Sequence, residues 1–195
     1  MQATGYVGDD QSEANQPGRA IWTVLIVASG LCLSPYFACV TPFAALATLA
    51  GLKLSRRDAF AVMAAVWLAN QVVGYGYLGY PWTWDSMAWG VVIGLSSGLG
   101  ILAARGLSVT RPAPLAVSLP LVGAFTAFEL GLYVAGFALP GSDWAFSATV
   151  IAHVFLVNAV ALCGLMAVYH LVALVVHLAG HHGSEPTAAG GASFR

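Results

Sequence analysis

Charge is what this sequence has least of: 8% of its 195 residues are Asp, Glu, Lys or Arg, against about a quarter in an ordinary soluble domain. Seven basic and eight acidic side chains cannot coat a water-soluble fold of this length. The net charge of −1 excludes the basic face that a nucleic-acid partner needs. Cysteine is sparse too. Cys32, Cys39 and Cys163 all lie in apolar runs, at spacings that match no zinc or iron–sulfur pattern, and they read as small buried hydrophobes. No HExxH pair, nucleophile elbow, phosphate-cradling loop or Asp-rich helix occurs. The chain therefore offers no catalytic constellation, and any ATP hydrolysis falls to partner subunits.

What the sequence has in abundance is apolar residues, 59% of the total, which makes lipid the solvent that suits it. The expected fold is an all-α polytopic membrane protein of about six transmembrane helices. The first apolar stretch, 20–52, has 33 residues, long for one span of about 20 residues and short for two. Ser34-Pro35 divides it into segments 20–34 and 37–52, with Pro42 in the first turns of the second. The alternative is one spanning helix followed by a re-entrant one. Further helices are expected at 57–76, at 86–105 behind Asp85 as N-cap, at 114–138 and at 144–179. The last exceeds 50 Å at about 1.5 Å per residue, so it projects from the membrane or bends near Gly164.

Six spans place Arg19, Lys53, Arg56, Arg57, Arg105, Arg111 and Arg195 on one side, as the positive-inside rule requires. Five spans would strand Arg19. N- and C-termini are accordingly expected in the cytoplasm. The domain reading is a disordered cytoplasmic N-terminus over 1–18, with no cleaved signal peptide, a single transmembrane domain over 19–180 and a flexible cytoplasmic tail over 181–195.

Polar residues inside apolar helices carry the functional signal, because lipid disfavours them. Glu129 is the clearest; it accepts a hydrogen bond from a ligand, serves as an ion-coupling site, or makes a structural bond to Asn70 or His153. Asn70 and Gln71 lead into Tyr75, Tyr77, Tyr80, Trp82, Trp84 and Asp85, more aromatics than interfacial anchoring needs. Rigid aromatic walls with polar tips suit a large, partly apolar ligand. Tyr36, Tyr133 and His153 complete the candidate set. His170 and His177 have a spacing that could serve haem or a metal, which keeps a redox or photosynthetic membrane-complex subunit as the alternative function.

The stretch from Tyr36 to Gly90 pairs YFACVTPFAALATLAGLKLSRRDA with VWLANQVVGYGYLGYPWTWDSMAWG. With some six helices and short loops, it resembles the S-components of energy-coupling-factor vitamin transporters, most closely the cobalamin-specific BtuM type of Gram-negative bacteria. The resemblance implies a multi-pass protein of the bacterial inner membrane that is a transport subunit rather than an enzyme. It would bind a vitamin, here cobalamin, from the outer side and then topple against a transmembrane coupling subunit driven by ATPases. Small-residue faces would serve that docking: Ala61 with Ala65, Ala47 with Gly51, and Gly90, Gly94 and Gly98. Some relatives ligate cobalt through a loop cysteine. Residues 76–86 hold none, which leaves Cys39 or His153, a corrin bound without an axial protein ligand, or a different vitamin.

Overall fold

The structure, a computed structural model, describes residues 22–24, 28, 41–108, 113–142 and 144–182. It is all-helical, with no strand among the described residues. Its continuous helices are α1 (Phe43–Lys53), α2 (Arg56–Gly76), α3 (Trp84–Gly106), α4 (Ala113–Gly136) and α5 (Ala148–His182). Trp22, Thr23, Val24 and Ala28 are also helical, inside the segment expected over 20–34; the rest of that segment lies outside the described residues.

Among the described residues four stretches are long and apolar enough to cross a membrane: α2, α3, Leu115–Gly136 of α4 and Ala148–Val175 of α5. At about 1.5 Å per residue each matches or exceeds a hydrocarbon core of about 30 Å. Their outward faces are apolar. Leu68 and Val72 on α2, Leu95 on α3, Leu130 on α4 and Leu156 and Leu171 on α5 are all exposed, as side chains solvated by lipid would be. The length, composition and outward faces of these helices are those of a membrane protein.

The helix limits move by a few residues from those expected, each for a local reason. α1 starts at Phe43 with Pro42 as its N-cap, so the proline precedes the helix and blocks nothing within it. α3 begins behind Thr83 rather than Asp85; the Thr83 side chain makes no capping hydrogen bond, and the first turn is closed by the backbone, the Met87 N–H donating to the Thr83 carbonyl at 3.1 Å. Asp85 falls in the first turn, where its charge favours the positive end of the helix dipole. α5 begins four residues later than expected, after a turn over 144–146, and the Ser147 hydroxyl accepts from the Val150 N–H at 3.4 Å. It then runs unbroken through Gly164.

α1 is the centre of the bundle. Its residues from Phe43 to Gly51 are all buried, and it packs against all four of the longer helices. A helix hidden on every side must be apolar all round, and FAALATLAGLK has only Thr48 and Lys53 as polar members. Thr48 turns its hydroxyl back onto the Ala44 carbonyl at 2.7 Å. Small residues let α3 approach closely: a Cβ on Gly51 would sit 3.1 Å from the Ala104 Cβ and 3.2 Å from the Ile101 carbonyl oxygen.

Helix termini carry unpaired backbone groups, and at both ends of α1 neighbouring helices supply partners for them. Pro42 has no side chain that can cap. The Ala45 N–H instead donates to Oδ1 of Asn158 on α5 at 2.9 Å. Asn158 is 2% exposed and anchors its own amide nitrogen on the Val154 carbonyl at 2.9 Å. At the other end Arg105 of α3 donates through Nη1 to the carbonyls of Gly51 at 3.1 Å and Leu54 at 2.9 Å. Both ends of the short central helix are thus capped by neighbouring helices.

That second end also gathers charge. Lys53 closes α1, Arg56 and Arg57 open α2, and Arg105 closes α3; these are all the Lys and Arg among the described residues. The Lys53 ammonium lies 5.7 Å from the Trp22 ring centre, and Trp22 stacks on Tyr169 at 4.2 Å. Ser55 starts α2 with a reciprocal cap. Its hydroxyl accepts from the Asp58 N–H at 3.2 Å and donates to the Asp58 carboxylate at 2.7 Å.

Replacing Asn158 with Leu leaves the Ala45 N–H buried without a partner, a loss of about 1–3 kcal/mol. Thermal unfolding in detergent should show a lower Tm for Asn158→Leu than for a lipid-facing control such as Leu156→Ala. Equal stability of the two would mean that Asn158 does not hold α1.

Candidate functional site

At the end of the bundle remote from the arginines, the helices part around a cavity of about 620 Å³ that is open to the surface. This is within the range of small-molecule sites. Thr41 and Phe43 at the start of α1 form part of its lining. α2 contributes Asn70, Gln71 and Tyr75 from its last turns, and Tyr80 follows from the loop. α3 contributes Asp85, Ser86, Trp89, Gly90 and Ile93; α4 contributes Phe128, Glu129 and Leu132. The connection from α4 to α5 supplies Pro140, Gly141, Ser142, Ala145 and Phe146, and α5 supplies Val150 and Val154.

Local geometry explains these positions. Gly74 is a seat for the Tyr80 ring: a Cβ there would lie 2.6 Å from two ring carbons. The chain turns back between them through Gly79, whose φ of 71° suits glycine, and the Tyr80 N–H donates to the Gly74 carbonyl at 3.0 Å. Gly90, Gly94 and Gly98 face α2, where Cβ atoms would meet Gln71, Trp67 and Phe60 respectively. This stripe therefore serves α2–α3 packing and makes room for the Gln71 amide. Trp67 donates its indole N–H to the Gly90 carbonyl at 2.7 Å, which fixes that pairing. On the other side of the opening, the Trp89 indole N–H donates to the Pro140 carbonyl at 2.9 Å and ties the α4–α5 connection to α3.

The polar groups divide into engaged and open ones. Tyr75 and Ser86 share a hydrogen bond at 3.1 Å, and Asn70 Oδ1 accepts from the Thr41 hydroxyl at 2.9 Å. Among the described residues the side chains of Gln71, Asp85 and Glu129 have no hydrogen-bond partner, and all three line the cavity. The structural bond from Glu129 to Asn70 or His153 is accordingly not formed. Among the described residues no Lys, Arg or His is part of the lining.

Of the candidates read from sequence, Asn70, Gln71, Tyr75, Tyr80, Asp85 and Glu129 meet at this cavity. Trp82, Trp84, Tyr133 and His153 lie off it. Trp82 is 72% exposed and leans on Tyr75 from behind at 4.9 Å. Tyr133 braces the lining residue Phe146 edge-on at 5.3 Å. Trp84 and His153 are exposed; on α5 it is Val150 and Val154 that reach the wall. Tyr36 and Cys39 lie outside the described residues. His170 is exposed and meets only Tyr169 edge-on. Among the described residues no three His, Cys, Asp or Glu gather into a metal-binding group.

Sequence reasoning missed Phe43, Trp89, Phe128 and the segment from Pro140 to Phe146. Trp89 was within reach, since it stands one turn beyond Asp85 and must share its helix face. The connecting segment carried no periodic signal.

Fold and cavity together define an all-helical protein of the membrane type with room for a small molecule at one end of its bundle. Nothing more particular comes from similarity, because no known protein family, curated protein or solved structure matches the chain.

The seat of Tyr80 gives a test of the wall. Gly74→Ala must displace a rigid ring and should cost about 1–3 kcal/mol of stability, as overpacking does. Gly164→Ala, where nothing lies within 4 Å of the added carbon, should be neutral or mildly stabilising. Thermal unfolding of the two variants side by side checks this; equal Tm values would contradict the packing of Tyr80 on Gly74.

Proposed function

We propose that the protein is the substrate-binding subunit of a transporter, taking a vitamin from the outer side of a bacterial inner membrane. The observation that carries this reading is the opposition of two ends. Every Lys and Arg among the described residues stands at one end, and the open cavity lies at the other. By the positive-inside rule the cavity then faces away from the cytoplasm, where a solute to be imported arrives. The N- and C-termini fall on the cytoplasmic side in this arrangement.

The sequence carries no Walker A motif, and in this reading a transmembrane coupling subunit with its ATPases would drive release inward. Cobalamin is the first ligand to test, on the strength of the resemblance in the stretch from Tyr36 to Gly90. A corrinoid exceeds a cavity of about 620 Å³, so it would seat one part among Tyr75, Trp89 and Phe128 and project through the mouth. Cobalt ligation by His153 finds no support in its position on α5, off the cavity wall.

Two measurements test this reading. In a variant with Cys32, Cys39 and Cys163 replaced by Ala, a membrane-impermeant thiol reagent should label Pro81→Cys from outside the cell and Ser108→Cys only after lysis. The reverse pattern would turn the cavity toward the cytoplasm and end the import reading. Direct titration of the purified protein with cobalamin should give saturable binding that Trp89→Ala weakens at least tenfold. Absence of binding to the folded wild type would remove cobalamin as the ligand.

A further inference from the structure

We propose that the cavity selects an organic cation with a flat apolar body; this deepens the binding-subunit reading and rests on it. The chemistry of the lining points one way. Two carboxyl groups, Asp85 and Glu129, are part of it; among the described residues no Lys, Arg or His joins the lining to neutralise them, and neither has a hydrogen-bond partner there. Seven residues separate Glu129 from the end of α4, about 10 Å of helix rise, whereas Asp85 stands in the first turn of α3. The carboxyl groups therefore sit at different depths, one near the mouth and one further in, so a positive charge meets one on entry and the other when seated.

Aromatic rings supply the rest of the recognition. Tyr75, Tyr80, Trp89, Phe43, Phe128 and Phe146 surround the same space. Ring faces attract cations and stack on flat apolar groups, and both effects strengthen where water is excluded.

Helix dipoles do not reverse this preference. α1, α3 and α5 point their N-termini toward the cavity end, which would favour an anion, but α2 and α4 end there and offset most of that field. At α1, moreover, the Phe43 N–H is engaged by the Thr41 carbonyl at 2.7 Å and the Ala45 N–H by Asn158 at 2.9 Å. An arriving anion would find those donors taken and two carboxyl groups facing it.

The test uses the full chain in lipid nanodiscs and three probes of one shape: benzyltrimethylammonium, its uncharged carbon isostere neopentylbenzene, and the anion phenylmethanesulfonate. Isothermal titration should show the cation binding at least tenfold tighter than the neutral isostere, with no saturable binding of the anion. Val154→Trp, which fills the cavity with an indole, serves as the blank for partition into lipid. Glu129→Gln, close to isosteric, should remove most of the tenfold preference while leaving the neutral probe unchanged; Asp85→Asn should do so in part. If the neutral or anionic probe binds the wild type as tightly as the cation and Val154→Trp abolishes it, the cavity is a binding site but the cation class is wrong. The class is equally overturned if both carboxamide variants keep the full preference. If no probe distinguishes wild type from Val154→Trp, both the cation class and the cavity as a solute site fall.

Discussion

An 11-residue helix buried from Phe43 to Gly51 is the constraint on which this structure turns. α1 is too short to cross a bilayer, and its terminal N–H and C=O groups need partners. Asn158 meets the need at one end and Arg105 at the other. These three bonds fix the register of α5 and of α3 against the same central element. Arg105 does more than cap. It brings a full positive charge to the carbonyl end of α1, where the dipole favours it, and it keeps α3's C-terminus at the end that holds Lys53, Arg56 and Arg57.

The functional asymmetry of the bundle follows from that arrangement. Because α1 is about half the length of its neighbours, it fills only part of the bundle's height. The space beyond its N-terminus is left to the side chains of α2, α3, α4 and α5 and to the connection over 137–147. Phe43 opens α1 and lines the cavity, so the first residue of the core helix is also part of the site. The same geometry explains why the cavity has acidic and aromatic character while the opposite end is basic: the cations are consumed in capping and in facing the other membrane surface.

Much of this was legible in the sequence. Apolar runs gave α2, α3, α4 and α5 to within a few residues, because lipid permits long apolar faces and little else. Asn70, Gln71 and Glu129 stood out as polar groups in apolar helices, and they do meet at one cavity. The aromatic stretch after α2 was only partly legible. Tyr75 and Tyr80 reach the wall, but Trp82 turns away to pack behind Tyr75, since the turn at Gly79 and the seat on Gly74 decide which ring points inward. α1 was read as one span among six, or else as a re-entrant helix. Its burial depends on four other helices, which no local pattern records. The bond from Asn158 to Ala45 joins residues 113 apart, and nothing near either residue announces it. Asp85 was expected to cap α3, but Thr83 takes that position without a side-chain hydrogen bond, so no capping side chain marks where the helix begins.

The most direct test of this account is hydrogen–deuterium exchange of the protein in nanodiscs, read peptide by peptide. A core helix opens only when the bundle does, whereas a peripheral or re-entrant helix exchanges by local opening. The amides from Leu46 to Gly51 should be protected as strongly as those in the middle of α3, although α1 is too short to span. Exchange there as fast as in the 77–83 loop would show that α1 is not the buried centre of the fold, and the shape of the cavity built on its N-terminus would have to be given up.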